Sequence, residues 1–446
     1  MCESVFDRIK RGAKIGFFGL GKSNLSLLSE LPLDKCILTL RSDKAINRKD
    51  IPNAAKVARI FDGSHACDFL DEDIIVFSPS VRRERAELWK ARLGGAIFTS
   101  DLELFLEQNV RPVFAVSGSD GKSTTVTLSH LMIDNSLPIG NVGTPMLAAL
   151  REDCQAYVAE LSSFMLRYAT VPATRACITN VTENHLDWHT SFEEYKRAKL
   201  SLLNSANEYV INADDNILME YFRANGAFAL ISDRYSFDEL CGRAELIITR
   251  SEAGILRNGR LILPYECIKR KESYNIKNLM MAIALSDGYT DEDRIREVAQ
   301  GFSGLEHRCE SFLELGGVEY INSSIDSSPA RTSATLTSLG KRVILLLGGR
   351  SKGVGYGMLC EPVKKYAERV LIFGENRDEI YSVLKDSAKC EIFDAIEAAT
   401  TRAIELSQNA EAVLLSPAST SYDRFQSFIE RGNYFKKMIL NSIKRS

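Results

Sequence analysis

A short glycine-rich stretch contains the residues best suited to chemistry. The apolar residues 113–116 predict a strand, residues 117–121 (SGSDG) predict a sharp turn, and Lys122 begins a helical pattern. Glycines let main-chain N–H groups converge on phosphate oxygens, the lysine adds a positive charge, and Ser123 adds a hydroxyl for Mg²⁺. We therefore predict an ATP site. The alternative is a structural turn with a solvated lysine, because Val116 stands where the general pattern has glycine.

The expected ATP contacts of this stretch are Gly118, Ser119, Asp120, Gly121, Lys122, Ser123 and Thr124.

Two polar residues that follow later strands could complete a metal site. Glu160 lies near the end of the apolar stretch 157–163, where a carboxylate could hold Mg²⁺ directly or through water. His185 belongs to residues 183–189, which contain two of the five histidines. Both residues have a structural alternative: Glu160 as a solvated strand end, and His185 as a hydrogen-bonding group after a strand.

Lys199 occupies an unusual position for a charged residue. The helical periodicity of residues 191–203 brings their apolar side chains to one side, and Lys199 falls in the middle of that side. One interpretation is an aliphatic stem that packs while the ammonium reaches solvent. The other is a chemically altered or ion-paired lysine that faces the Mg²⁺ site.

Composition excludes several classes of protein. The chain has 446 residues, 45% hydrophobic and 26% charged, which predicts a folded protein of about three domains. A net charge of −3 gives no general attraction to nucleic acid or to an acidic membrane. The ten cysteines are scattered without a C-x-x-C pair, and no apolar run approaches the roughly 20 residues of a membrane span. We expect a cytoplasmic protein without disulfides.

The N-terminal region resembles a dinucleotide-binding turn only in part. Residues 14–20 predict a strand followed by glycines, but Asn24 replaces the third glycine of G-x-G-x-x-G. The next predicted strand, residues 36–41, ends in Arg41 where a ribose-binding acid is expected. An NAD site is therefore not favoured, and a different nucleotide stays open.

Strands alternate with helical stretches throughout the chain, which predicts parallel sheets of the α/β class. Polar breaks at residues 108–112 and 304–310 suggest linkers. We expect domains at residues 1–109, 110–306 and 307–446.

Motifs spread over nearly the whole chain resemble the Mur ligase family of ATP-dependent amide-forming enzymes. Residues 19–24, 415–425 and 431–432 are most similar to the branch of that family that adds D-glutamate. The motifs are the phosphate loop, Asn141-x-Gly143, Glu160-Leu-Ser-Ser, His185-Leu-Asp, Lys199, Asn275 with Asn278, His307-Arg308, Gly348-Gly349 and Ser416-Pro417.

The resemblance implies an N-terminal Rossmann-like UDP-binding domain, a central P-loop ATPase-type domain with a mainly parallel sheet, and a C-terminal Rossmann-like domain. It implies catalytic roles for Lys122, His185 and Lys199. Ser123 and Glu160 would hold one Mg²⁺, and His185 would hold a second together with a carbamylated Lys199. Asn278 and Arg308 would contact ATP. The implied substrate contacts are Ser23, Asn24, Thr39, Arg41, Ser78, Asn141, Ser162, Lys352, Ser421 and Tyr422.

The implied reaction adds D-glutamate to UDP-N-acetylmuramoyl-L-alanine through an acyl phosphate, giving ADP and phosphate, in cytoplasmic peptidoglycan precursor synthesis. We expect a monomer that binds neither nucleic acid nor a membrane. The alternatives are a Mur-type or folylpolyglutamate-type ligase for another amino acid, a P-loop ATPase or switch, and a paralogue with weak or no ligase activity.

Three positions depart from the family pattern. The usual Asn-Asp-Ser reads N-S-S at residues 322–324, and an acid appears instead at Asp326. Ser80 replaces a glycine after Ser-Pro, and residues 419–420 read Ser-Thr in place of Cys-Ala. The first departure raises the question of whether Asp326 compensates for Ser323.

Overall fold

The computed structural model describes residues 4–46, 48, 51–52, 56–186, 188–351 and 353–443. Within these residues the strands form three sheets, flanked by helices. The chain divides into two compact units, Met1–Phe302 with two of the sheets and Ser303–Ser446 with the third. The predicted α/β class with mainly parallel sheets is confirmed. The domain limits at residues 109 and 306 stay a prediction.

The first sheet is parallel in the order β3-β2-β1-β4-β5. The three inner strands β2, β1 and β4 are mostly buried, whereas the edge strands β3 and β5 are partly exposed. The strands are Lys14–Phe18 (β1), Ile37–Ser42 (β2), Val57–Asp62 (β3), Ile74–Phe77 (β4) and Ile97–Thr99 (β5). The helices are Val5–Arg11 (α1), Lys22–Glu30 (α2), Ala86–Leu93 (α3) and Asp101–Gln108 (α4).

The second sheet follows the order β14-β13-β12-β11-β10-β9-β6-β8-β7, with antiparallel pairing only from β12 to β14 in the described chain. Its strands are Val113–Ser117 (β6), Ser136–Gly140 (β7), Ala156–Glu160 (β8), Arg175–Ile178 (β9), Glu208–Asn212 (β10), Ala229–Ser232 (β11), Leu246–Ser251 (β12), Gly254–Arg257 (β13) and Arg260–Pro264 (β14). Its helices are Lys122–Met132 (α5), Met146–Ala149 (α6), Ser163–Leu166 (α7), Phe192–Ser205 (α8), Asn216–Asn225 (α9), Phe237–Leu240 (α10), Ser273–Leu285 (α11) and Glu292–Gly301 (α12).

The third sheet follows the order β15-β16-β20-β17-β18-β19, and β15 pairs antiparallel with β16. Its strands are Glu310–Leu315 (β15), Val318–Asn322 (β16), Val343–Gly348 (β17), Ala367–Phe373 (β18), Cys390–Ile392 (β19) and Ala412–Leu415 (β20). Its helices are Pro329–Leu339 (α13), Cys360–Tyr366 (α14), Arg377–Leu384 (α15), Ile396–Leu406 (α16) and Phe428–Ile443 (α17).

Two expectations from composition can be compared with these elements. The cysteines that the structure describes are all free, as their scattered positions predicted. In the described ranges, none of the helices has the length and apolar character that crossing a membrane requires.

Candidate active site

The turn between β6 and α5 requires glycine at two positions. Gly118 (φ 143°) and Gly121 (φ 81°) both have left-handed backbone conformations. A Cβ at Gly118 would collide with Thr179 Oγ1, and a Cβ at Gly121 would collide with Asn278 Oδ1. The predicted nucleotide residue Asn278 therefore packs directly against the loop.

The main-chain amides of this loop face two different ways. The first intrahelical hydrogen bond of α5 starts at the amide of Thr125 (3.0 Å), so the amides of residues 121–124 have no partner within the helix. By contrast, Ser119 N donates to Asn180 O (2.9 Å) and Asp120 N donates to Asn180 Oδ1 (3.0 Å). A phosphate would therefore meet the amides at the start of the helix, whereas the amides of Ser119 and Asp120 are bonded to Asn180.

The Ser119 hydroxyl ties the loop to neighbouring elements. It donates to Thr182 O (2.9 Å), which leaves it to accept from Thr182 N (2.9 Å) and from the Tyr195 hydroxyl (2.8 Å). Its single proton and both lone pairs are then used. This side chain fixes the loop against α8 and residue 182, and it has no capacity left for a phosphate in this arrangement.

Two lysines converge on the carbonyl oxygen of Gly118. Lys122 Nζ donates to Gly118 O (2.8 Å) and to Ser119 O (2.9 Å). Lys199 Nζ donates to the same Gly118 O at 2.7 Å. Lys199 is only 2% exposed, so the interpretation in which its ammonium reaches solvent is wrong.

The surroundings of Lys199 favour its neutral form. Burial, and secondly the charge of Lys122, hold the pKa of Lys199 well below its usual range. The carboxylates of Asp120 and Glu160 act in the opposite direction. A lowered pKa raises the neutral, nucleophilic fraction of an amine.

Glu160 presents a buried carboxylate beside this loop. It ends β8, in register with Val116 of β6, and is 1% exposed, so the solvated alternative is wrong. Its Oε1 accepts from Asn141 Nδ2 (2.7 Å), whereas Oε2 has no hydrogen-bond partner among the described residues. A buried carboxylate oxygen without a donor is costly unless a cation is bound, and Mg²⁺ takes such ligands. Glu160 therefore fits a Mg²⁺ site, and Ser123, the other expected ligand, is buried in the first turn of α5.

His185 lies on an exposed loop next to α7. Its ring stands edge-on to Phe164 at 5.0 Å between centroids. Within the described residues, His, Cys, Asp and Glu side chains form no cluster of three or more that could hold a metal. A metal here would therefore need hydroxyl or modified-lysine ligands as well.

His189 is a buried neighbour that the sequence did not single out. Its Nε2 pairs with Ser163 Oγ (3.0 Å), and burial lowers the pKa of His189 to about 4. The hydroxyl of Ser162, a predicted substrate contact, instead caps α7 by accepting a main-chain N–H. The four-residue spacing between His185 and His189 was the one available signal.

Asn24, a predicted substrate contact, has a structural role in the first sheet. Its buried Nδ2 donates to Gly19 O (2.7 Å), Phe18 O (3.2 Å) and Val76 O (3.2 Å). These bonds tie the turn after β1 to the neighbouring strand β4. They leave no amide proton of Asn24 for a ligand.

Arg41, also a predicted substrate contact, is 0% exposed. Its guanidinium donates to Glu72 Oε1 through both Nε (3.0 Å) and Nη2 (2.7 Å). The remaining bonds go to the carbonyls of Ala66, Asp68 and Phe69. All five donors are used inside the protein. This arrangement contradicts an Arg41 contact with uridine diphosphate and gives Arg41 a role in holding the loop before β4.

Three other predicted contacts lie near the carboxyl end of the first sheet. Thr39 is buried, and its Oγ1 accepts from Arg59 Nε (3.2 Å). Ser78 faces the glycine turn, since a Cβ on Gly21 would come within 2.8 Å of Ser78 Oγ. Ser23 lies in the first turn of α2 and is half-buried.

In the second unit, a network of side chains supports the loop that contains Ser421. Ser421 is buried, and Tyr422 is 62% exposed. Behind them, the Ser419 hydroxyl accepts from Asn376 Nδ2 (2.7 Å). Lys352, a predicted contact for the amino acid, lies outside the described residues.

Asp326 answers the question raised by the N-S-S departure. Its carboxylate is buried and accepts from Thr335 Oγ1 (2.8 Å) and Ser416 Oγ (2.8 Å), and burial raises its pKa. Ser323 Oγ accepts from Cys309 N (3.0 Å). Asp326 thus stabilises the loop at Ser416 through buried hydroxyls, and Ser323 is itself buried, so neither position presents an exposed acid.

Arg431 is a buried structural residue that the sequence did not single out beyond its place in a motif. Its Nε donates to Ser324 Oγ (3.0 Å), and Nη2 donates to Ser324 O (2.9 Å) and Ser419 O (3.1 Å). Burial lowers its pKa to about 10. Arg431 joins the loops after β16 and β20.

Two family models match the chain. Residues 116–286 match the Mur ligase middle domain, and residues 307–419 match the Mur ligase glutamate ligase domain.

Curated relatives match over most of their length. The chain is 32% identical to UDP-N-acetylmuramoylalanine--D-glutamate ligase of Ruminiclostridium cellulolyticum, over 98% of both chains. It is 35% identical to the protein of the same name from Clostridium botulinum strain Kyoto, over 84% of this chain and 85% of the relative.

A solved structure has the same fold. UDP-N-acetylmuramate-alanine ligase MurC from Thermotoga maritima superposes with a TM-score of 0.61 at 18% identity, covering 96% of this chain and 100% of the other.

Proposed function

The chain belongs to the Mur ligase family, and we propose that it joins D-glutamate to UDP-N-acetylmuramoyl-L-alanine at the expense of ATP. Two relatives that bear the name of that ligase match the chain over 98% and 85% of their own length. The observation that best supports the chemistry is the group around Gly118 O, where Lys122 and Lys199 meet beside the unpaired carboxylate oxygen of Glu160.

The reaction requires activation of a carboxylate, which is a poor electrophile. The terminal carboxylate of the L-alanyl group attacks the γ-phosphorus of ATP, the bond from that phosphorus to ADP breaks, and an acyl phosphate forms. Lys122 and the amides of residues 121–124 stabilise the phosphate charge. The amine of D-glutamate then attacks the acyl carbon, loses a proton, and expels inorganic phosphate.

We assign Mg²⁺ to Ser123 and Glu160, and a second ion to His185 and Lys199. Bound there, Mg²⁺ would offset the charge on the phosphate oxygens. Lys199 would contribute as a carbamate, because its lowered pKa favours the neutral amine that reacts with CO₂. The positive charge of the neighbouring Lys122 would then stabilise the carbamate charge.

The remaining contacts follow the family positions. Asn278 and Arg308 would bind the nucleotide, and Ser421, Tyr422 and Lys352 would bind D-glutamate. Ser23, Thr39, Ser78, Asn141 and Ser162 would lie along the UDP-sugar substrate. We also propose that the enzyme is a monomer of the cytoplasm, which size-exclusion chromatography and cell fractionation test.

A substrate panel tests the proposed function. Phosphate release from ATP is measured with UDP-N-acetylmuramoyl-L-alanine and each of D-glutamate, L-glutamate, L-alanine, L-lysine and meso-diaminopimelate. We expect release only when the acceptor and D-glutamate are both present. A preference for an L-amino acid would contradict the proposal, and release without acceptor would favour a simple ATPase.

A further inference from the structure

Trp188 connects two loops that come from different sheets. The first, here the acceptor loop, is residues 78–82 after β4 and contains Ser78. The second, here the histidine loop, is residues 182–186 and 188–190 and contains His185. Trp188 Nε1 donates to Ser80 O (2.8 Å), and Arg82 Nη1 donates to Trp188 O (2.9 Å). Each loop therefore both donates to and accepts from the other.

The indole ring is held in place by aromatic neighbours. Its centroid lies 4.5 Å from that of Phe164 and 4.7 Å from that of His189. The Arg82 guanidinium carbon lies 5.5 Å from the ring. Phe164 also packs edge-on against His185 at 5.0 Å. Phe164 thus contacts both His185 and Trp188, the residue that bonds to the acceptor loop.

The link does not depend on the side chain at position 80. The acceptor atom is the main-chain carbonyl, so the replacement of glycine by Ser80 leaves the bond intact. Only an indole combines an apolar ring with an N–H donor at its far end. Trp188 therefore provides what the contact requires: a packed ring and one directed hydrogen bond across the junction.

We propose that Trp188 is a positioning residue that couples binding of the UDP-sugar acceptor at the acceptor loop to occupation of the nucleotide and Mg²⁺ site through the histidine loop. This inference rests on the proposed function. The paired hydrogen bonds are strained when one loop moves without the other. A ligand that holds one loop in its binding position therefore also favours the binding position of the other loop. Such coupling is reciprocal: each ligand tightens the other by the same factor.

The test compares Trp188→Phe with the matched control Trp89→Phe. Trp89 is 59% exposed on α3, away from the link, and it is the other of the two tryptophans. Calorimetry measures the Kd of UDP-N-acetylmuramoyl-L-alanine with and without Mg²⁺·ADP on the full chain. In the wild type and the control, we expect Mg²⁺·ADP to lower the Kd of the acceptor about fivefold, which corresponds to the free energy of about one hydrogen bond. In Trp188→Phe, where that hydrogen bond is lost, we expect the Kd to be nearly the same with and without Mg²⁺·ADP.

A second variant addresses the link from the other loop. Arg82→Met removes the donor to Trp188 O at a partly exposed site, and it should also reduce the coupling. In Trp89→Phe, Trp188 is the sole tryptophan, so its fluorescence should shift when acceptor binds and again when Mg²⁺·ADP binds. This readout does not require turnover.

Three results would overturn the inference in distinguishable ways. A Trp188→Phe protein with the coupling of the control, or Trp188 emission that ignores both ligands, would refute the link and leave the proposed function intact. A wild-type protein that binds no UDP-N-acetylmuramoyl-L-alanine would refute the proposed function and the link with it. If Trp188→Phe and Arg82→Met only fold less well, less protein will bind acceptor, but the ratio of the Kd without Mg²⁺·ADP to the Kd with it will equal that of the wild type. That result would also refute the link.

Discussion

Two strand-turn-helix units of the chain contain the same Gly-Lys-Ser triplet, at residues 21–23 after β1 and at residues 121–123 after β6. Both start a helix with a glycine. In the first unit Lys22 Nζ reaches away to Gly143 O (3.0 Å). In the second, Lys122 Nζ folds back over its own loop. The triplet alone therefore does not define a phosphate site.

The two units differ in the charged side chains that surround them. In the first unit, the buried carboxylate is Glu72, which packs against Gly16 of β1, and Arg41 pairs with it. Near the second, the buried carboxylate is Glu160, one oxygen of which has no partner among the described residues, and Lys199 is a buried amine. A site for phosphate and metal needs an uncompensated charge next to the turn, whereas a paired charge only stabilises the fold.

The largest expected contrast is between the two lysines. Lys122→Ala should lower ligase turnover by at least about 10³-fold, because it removes the charge that stabilises the transferred phosphoryl group. The matched Lys22→Ala should change turnover by less than about threefold. Phosphate release under saturating substrates measures the turnover of both variants. Similar losses in the two variants would contradict the claim that only the second turn binds phosphate.

Removing Arg41 should affect folding and not chemistry. Arg41→Met leaves the buried charge of Glu72 with only the longer contact to Arg59 Nη2 (3.8 Å), which should lower the free energy of unfolding by ~3 kcal/mol. Urea denaturation measures this loss. The KM for UDP-N-acetylmuramoyl-L-alanine should stay unchanged in the folded fraction. A raised KM with normal stability would instead restore Arg41 as a substrate contact.

Removing the Glu160 charge should affect chemistry and not folding. Glu160→Gln should lower turnover about 10²-fold and raise the Mg²⁺ concentration needed for half-maximal activity, because a metal ligand is lost. Its melting temperature should not fall, since a buried charge with an unpaired oxygen is removed. Calorimetric melting and a Mg²⁺ titration of activity check the two halves. A large loss of stability with an unchanged Mg²⁺ requirement would mean a structural role.

The smallest expected effect concerns pH. The folded pKa of Lys199 lies below that of a solvated lysine, so the unfolded chain binds more protons between the two pKa values, and stability rises with pH in that window. In buffer without CO₂ and Mg²⁺, the contribution of Lys199 to the free energy of unfolding rises by up to about 1.4 kcal/mol per pH unit. Lys199→Met should flatten this rise in thermal unfolding at pH values below the pKa of a solvated lysine. An equal slope in both proteins would mean that Lys199 is protonated when folded.

Long buried segments were predictable from sequence. The helix expected at residues 191–203 coincides with most of α8, because its apolar side marks its extent. The strand expected at residues 113–116 became β6. β7 was missed because it contains Pro138. It lies at the edge of its sheet, where a missing N–H is tolerated.

The site was predictable in its residue types and less so in its geometry. The place of Lys199 in an apolar stripe pointed to a buried amine, and the structure buries it. No spacing rule shows that Asn180 turns the amides of Ser119 and Asp120 away from the cradle, or that residues 66–72 surround Arg41. Such contacts join segments far apart in sequence and depend on how the loops pack.

An isotope experiment tests the central claim most directly, that this loop transfers a phosphoryl group to a carboxylate. UDP-N-acetylmuramoyl-L-alanine carrying ¹⁸O in both oxygens of its terminal carboxylate is turned over with ATP and D-glutamate, and the phosphate is analysed by mass spectrometry. An acyl phosphate transfers one of these oxygens to phosphorus, so we predict one ¹⁸O atom in each phosphate released. Unlabelled phosphate formed together with the amide product would contradict the account.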